Sequence, residues 1–108
     1  MQLTELDRLC ATEIMGWFDE NNRWVTVLAS TEEYKDSILH YHSCDWSPTT
    51  NIAQAWQVLE KFTVFSIKTQ GSNEFKILCE VNSSSEFGST AALAICKAAL
   101  KAKGVSIE

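Results

Sequence analysis

Apolar residues recur along this chain in two rhythms, and each rhythm predicts an element. Between Glu5 and Trp17 the three- and four-residue spacing of Leu6, Leu9, Cys10 and Trp17 predicts a helix, with Glu13 interrupting the stripe and Ile14 widening it. Thr4 is the expected cap, and Asp7 stands at the third helical position of a capping box. Gly16 and the polar run Asp19-Glu20-Asn21-Asn22 predict the end of this helix. Further on, Pro48 marks a turn, and Thr50 or Asn51 is placed to cap a second helix. Its inner face is expected to hold Ile52, Ala55, Trp56, Leu59 and Phe62, with Gln54, Gln57 and Lys61 outward. A third helix is expected from Thr90 to Lys103, closed by Gly104, with Ala92, Ile95, Cys96, Ala99 and Leu100 inward. Lys97, Lys101 and Lys103 occupy its C-terminal half, where positive charge suits the helix dipole.

The second rhythm is alternation. FTVFSIKT (62–69) and EFKILCEV (74–81), separated by QGSN, predict a hairpin. Phe75, Ile77, Cys79 and Val81 face one way; Lys76 and Glu80 face the other, with Leu78 hinting that this second face is partly covered. NSSSEFGS (82–89) reads as a turn into the last helix. Residues 18–50 give a weaker signal. WVTVL (24–28) and SILHYH (37–42) are expected as short strands in an otherwise long loop. Trp24, Tyr34, Tyr41 and Trp46 are expected to tie that loop to the core, at roughly 2 kcal/mol of burial each. The sum is one α/β (α+β) domain over residues 1–108, with about three helices and a central antiparallel hairpin-based sheet.

Three segments carry a resemblance: LDRLCATEIMGW (6–17), WSPTTNIAQAWQVLEKF (46–62) and TAALAICKAALKAKG (90–104). Together they resemble the phage ABA sandwich domain family, small proteins encoded by phages and prophages of bacteria. The likeness rests on Met15, Gly16 and Trp17, on Ser47, Pro48, Ile52, Ala53, Ala55 and Trp56, and on Thr90 and Ala91 to Leu100. Asn51 stands where the family commonly shows Asp, and Ala92 where it often has Pro; both suit the same helix starts. The resemblance implies a small three-layer α-β-α sandwich of phage origin, and no particular reaction.

Composition narrows the function classes. Of the 108 residues, 45% are hydrophobic, four of them tryptophan, which is core-forming. The net charge of -5 lacks the basic face that coats duplex nucleic acid. Residues 1–60 carry ten carboxylates against Arg8, Arg23 and Lys35, which suits a basic partner. The run AALAIC is too short for a bilayer, and the first residues lack a signal-peptide pattern. The expectation is therefore no membrane association and residence in the cytoplasm of the bacterial host. Cys10, Cys44, Cys79 and Cys96 are widely spaced and are expected as free thiols.

HYHSCD (40–45) is the one chemically suggestive cluster. His40, His42 and Cys44 would share a face of an extended strand and are good zinc-ligand types, yet structural zinc sites pair two short clusters and only one is present. A Cys44–His dyad would need a third orienting group. No phosphate loop, HExxH or calcium loop occurs, so no cofactor, metal or catalytic residue is expected. The leading expectation is a protein that binds a protein partner through Trp24, Tyr34, His40, Tyr41 and Trp46, since tyrosine and tryptophan give large contact area at low ordering cost. The alternatives are a nucleotide or other small-ligand binder, with those rings stacking on a base, and a structural or assembly role in the phage. With only two confident strands, a homodimer completing a sheet edge or joined by a helix face is also expected.

Overall fold

Polar turn residues divide the strands of this protein into two short antiparallel meanders. The computed structural model describes residues 2–30, 35–70 and 76–106. Helix α1 spans Leu3–Leu9 and continues as a wider π-helical stretch, Cys10–Ile14. Strands β1 (Phe18–Asp19), β2 (Arg23–Ser30) and β3 (Lys35–His42) form the first sheet, in that order. A single 3-10 turn, Ser43–Asp45, leads to the Pro48 turn and to α2 (Ile52–Leu59). Strands β4 (Phe65–Gln70), β5 (Lys76–Val81) and β6 (Ser84–Gly88) form the second sheet, and α3 (Ala91–Ala102) follows. Three helices and two sheets give an α+β fold consistent with an α-β-α sandwich. No described helix is long and apolar enough to cross a membrane.

Both expected segments of residues 18–50 are strands, and longer than their apolar cores implied. The Asp19–Asn22 run does more than end a helix. Asn21 and Asn22 have φ of 51° and 62°, and Glu20 and Arg23 exchange backbone hydrogen bonds of 2.8 and 3.0 Å. That is a two-residue hairpin turn whose twist matches the strands, and asparagine tolerates its left-handed backbone. The segment 82–89 is likewise more than a turn. Asn82, at φ 53°, and Ser83 make a two-residue connection, and Val81 pairs Ser84 to begin β6.

The helices differ from expectation in their caps and their rotation. Thr4 lies inside α1, whose N-cap is Gln2 without a side-chain bond, so Asp7 belongs to no capping box. Inward residues fall at Leu6, Cys10 and Ile14, and at Asp7 and Ala11. A four-residue interval drifts around a 3.6-residue helix; the wider π turn keeps these positions aligned and leaves Glu13 exposed. Gly16, at φ 72°, then ends the helix and turns Trp17 into the core. In α2, Asn51 is the cap, accepting from the Gln54 N–H. The buried face is Gln54, Ala55, Val58 and Leu59, while Ile52 is 53% and Trp56 45% exposed. The helix is thus turned from the expected stripe, because Gln54 is drawn inward by hydrogen bonds. Trp56 leans instead on Phe65 of β4, edge-on at 5.9 Å.

The core is centred on α3. Thr90 caps it, and the expected face, Ala92, Ile95, Cys96, Ala99 and Leu100, is buried together with Ala94 and Ala98. Small residues let α3 approach the sheet closely, and Cys79 and Val81 of β5 meet it there, fully buried. Cys10, Cys79 and Cys96 are buried free thiols, and Cys44 is exposed. The molecule measures 59 × 25 × 24 Å with a radius of gyration of 15.1 Å. A compact chain of this length has about 13 Å. Within the β2–β3 ribbon, Trp24 and Val25 are buried, whereas Ile38 and Leu39 are 47% and 46% exposed.

Two predictions arise from the core. A Cβ on Gly88 would lie 2.6 Å from the backbone nitrogen of Ala94. Backbone cannot swing aside, so Gly88→Ala should cost about 1–3 kcal/mol in urea unfolding, as overpacking does. The second concerns alkaline stability. Burial, with the Glu80 carboxylate adding, pushes the Cys79 thiol from 9.0 up to about 11. Cys96 is raised too, first by its hydrogen bond with Cys10 and then by burial. A raised pKa means that the folded state holds the proton more tightly, so this stability is complete below pH 9 and is lost as the pH climbs toward about 11. The urea midpoint should fall across that window, and less steeply in Cys79→Ala.

Candidate functional site

Four rings, those of Trp17, His40, Tyr41 and Trp46, gather together. Trp17, delivered by the π turn and Gly16, stacks on His40 with centroids 4.6 Å apart and planes 12° apart. It meets Trp46 edge-on at 4.7 Å and Tyr41 at 5.7 Å, while Tyr41 and Trp46 stand 5.0 Å apart. A register shift in the β2–β3 ladder makes this possible. Trp24 pairs Tyr41 and Val25 pairs Leu39, so His40 is the extra residue of a bulge. Its Nε2 lies 2.6 Å from the Thr26 hydroxyl. The ring is therefore held from two sides although the residue is exposed.

Beneath the cluster, polar groups tie three distant segments together. The Trp46 indole N–H donates to the backbone carbonyl of Asp7 at 2.8 Å. The Thr49 N–H and hydroxyl both donate to Asp7 Oδ1, at 2.9 and 2.8 Å. Gln54 accepts from the Ser47 N–H and donates to the Asp45 carbonyl, each at 2.7 Å. The Tyr41 hydroxyl accepts from the Gln57 amide at 3.0 Å. Pro48 is fully buried and Thr49 is 2% exposed. The segment WSPTT is thus an anchor and not a surface.

This placement alters the roles expected of the aromatic residues. Trp24 and Trp46 are 5% and 3% exposed, so their faces pack the core and are closed to a stacking base. Tyr41 is half-buried, His40 is exposed, and Tyr34 lies outside the described residues. His42 is exposed at the end of β3, and Cys44 is exposed in the 3-10 turn. Among the described residues no group of three or more His, Cys, Asp or Glu is placed to hold a metal ion. Sequence reasoning missed Asp7 and Gln54. Asp7 was taken up by a capping-box pattern, and Gln54 by the outward side of a helical wheel. The one available signal for either was polarity at a position where the stripe could close.

Among the features open to solvent, two adjoin the aromatic cluster and its sheet. A hollow of about 360 Å³ lies beside the cluster, lined by Met15, Trp17, His40, Gln57, Glu60 and Lys61. The other lies on the opposite face of the first sheet. The register puts Phe18, Val25 and Leu39 side by side across β1, β2 and β3. Val25 is buried, while Phe18 is 60% and Leu39 46% exposed. That apolar row is backed by the rigid aromatic cluster.

The description Phage ABA sandwich domain matches residues 8–100. In fold, the chain is similar to a phage protein from Bacillus cereus known by crystal structure. The TM-score is 0.57 at 23% identity, over 93% of this chain and 90% of the other. Among curated proteins none matches.

The Asp7 anchor generates a prediction. Asp7→Ala leaves the buried Thr49 N–H and hydroxyl without their acceptor, and an orphaned buried donor costs about 1–3 kcal/mol. Asp7→Asn keeps an acceptor oxygen and should lose less. Urea unfolding of the two variants against the parent protein measures the difference.

Proposed function

The chain belongs to the Phage ABA sandwich domain family, and on that premise we propose that this small phage or prophage protein acts by binding a protein partner in the cytoplasm of the bacterial host. The observation that supports this reading is the row Phe18–Val25–Leu39, apolar and exposed at both ends on a stiffened sheet. An exposed apolar patch on a small protein is costly to keep and is commonly an interaction site. Tryptophan and tyrosine contribute from beneath: they fix the sheet and are not themselves the contact. The excess of carboxylates in residues 1–60 favours a partner whose rim is basic, because opposite charge steers encounter and excludes wrong partners.

The hollow beside His40 supports a second reading, small-ligand binding. Gln57 is oriented by Tyr41, and His40 by Thr26 and Trp17, so two polar groups are positioned before any ligand arrives. A thermal-shift series with nucleotides and small anions tests it. A rise in melting temperature that disappears in Gln57→Ala supports this reading, and flat curves remove it.

For the protein-partner reading, Phe18→Asp and Leu39→Asp change exposed side chains and should leave the melting temperature nearly unchanged. Affinity capture from infected host cells should then retain one defined protein on the parent chain and lose it on both variants. Equal recovery by all three, or no specific recovery, overturns the assignment to this face.

A further inference from the structure

The two outer edges of the second sheet are treated differently. In β6, the carbonyls of Phe87 and Ser85 accept hydrogen bonds from Lys97 and Lys101, each at 3.3 Å. These two lysines, one helical turn apart on α3, occupy the outward acceptors of that edge. On the other side, β4 pairs with β5 in an unbroken register from Phe65–Val81 to Gln70–Lys76. The Val64 carbonyl accepts from the Asn82 N–H at 2.8 Å, on the β5 side. Alternation along the strand then aims the backbone groups of Phe65, Ile67 and Thr69 away from β5. No proline, bulge or capping lysine covers that edge among the described residues.

We propose that the β4 edge pairs with the β4 edge of a second copy of this chain, antiparallel about a two-fold axis at Ile67. The outward set is self-complementary. With Ile67 opposite its own copy, Phe65 stands opposite the partner's Thr69, and all three residues of each strand exchange backbone bonds, as hydrogen-bonded antiparallel pairs do. The charges agree with this register. Lys68, the charged residue of β4, falls opposite the partner's Ser66 and not opposite another lysine. Side chains supply the apolar part. Trp56 is 45%, Phe65 39% and Ile67 37% exposed beside the edge, and Val64, on the other face of the strand, is 63% exposed. The pairing also explains why α2 presents Trp56 to the edge of the sheet, where a monomer gains only the contact with Phe65. The outcome is a six-stranded sheet whose remaining edges are the two lysine-capped β6 strands. This inference uses a different surface from the Phe18–Leu39 row and stands or falls apart from it.

Light scattering coupled to size exclusion, over a hundredfold range of concentration, is the direct test. The expected mass is twice 12.1 kDa, falling toward 12.1 kDa only at the most dilute end. Ile67→Lys sets two like charges against each other on the axis and should give 12.1 kDa throughout, with its circular dichroism unchanged. Ile67→Pro removes an outward N–H that β5 does not use, so it should fold and also be monomeric. A parent chain of 12.1 kDa at every concentration overturns the proposal, as does a dimer that survives both substitutions. Capture of a partner through Phe18 and Leu39 should persist in Ile67→Lys, which separates this test from that of the preceding reading.

Discussion

The fold hangs on one buried carboxylate. Asp7 sits on the first helix, 8% exposed, and takes two hydrogen bonds from Thr49, 42 residues later in the chain. Its own backbone carbonyl takes a third, from Trp46. Buried hydrogen bonds of this kind contribute about 0.5–1.5 kcal/mol each, and leaving their donors without an acceptor costs about 1–3 kcal/mol. Their geometric effect is greater still. They fix the turn that starts α2 against the helix that starts the chain, so everything between them is a closed loop with both ends held. The β1–β3 meander is the content of that loop. Closing so long a segment costs chain entropy that grows slowly with length, so a few buried bonds at its neck suffice.

Trp17 converts that closure into a surface. The π turn and Gly16 swing its indole under the meander, where it meets His40, Tyr41 and Trp46 at ring distances of 4.6 to 5.7 Å. Aromatic pairs at such distances contribute about 0.5–1.5 kcal/mol beyond burial. The bulge at His40 is what lets Tyr41 and Trp24 face the same side while Leu39 and Val25 face the other. A sheet of three short strands is marginal alone, and here one face is buried by tryptophan while the other keeps Phe18 and Leu39 exposed at the two ends of its row. The binding reading depends on this division of labour between faces.

Much of this was legible in the sequence, and the failures have physical causes. The hairpin of β4 and β5 and the third helix were readable because their alternation and small-residue stripe have one solution each. The strands of residues 18–50 were underestimated because turn chemistry was read as helix termination. Asn21-Asn22 is as good a hairpin signal as it is a helix stop, and only long-range pairing decides. Strand β6 hid in a serine-rich segment of low strand propensity; its pairing with β5 and the packing of Gly88 against Ala94 hold it there. Trp56 was assigned to the core on size and spacing. The hydrogen bonds of Gln54 outweighed that pattern and rotated the helix. At the candidate site, His40 and the aromatic set were visible as residue types, but which faces were open was not. That depends on a one-residue bulge that no periodicity reveals.

The Phe18–Leu39 row and the β4 edge follow different logic, and the difference bears on which partner each admits. The Phe18–Val25–Leu39 row is a face, with hydrogen-bonding groups of its strands already engaged in the sheet beneath it. Whatever covers it contributes side chains and needs no particular backbone conformation, which leaves the choice of partner to shape and charge. The β4 edge is a ladder with one side vacant among the described residues. It accepts only an extended strand, and it accepts best the strand whose outward groups match its own in number and phase. A chain that caps one edge of a sheet with two lysines and leaves the other beside an exposed tryptophan treats those edges as unlike. Edge capping opposes indiscriminate pairing, and only one of these two edges carries it among the described residues. Homotypic pairing at that edge would leave the aromatic-backed face free, and a dimer would then present that face twice to the partners it meets.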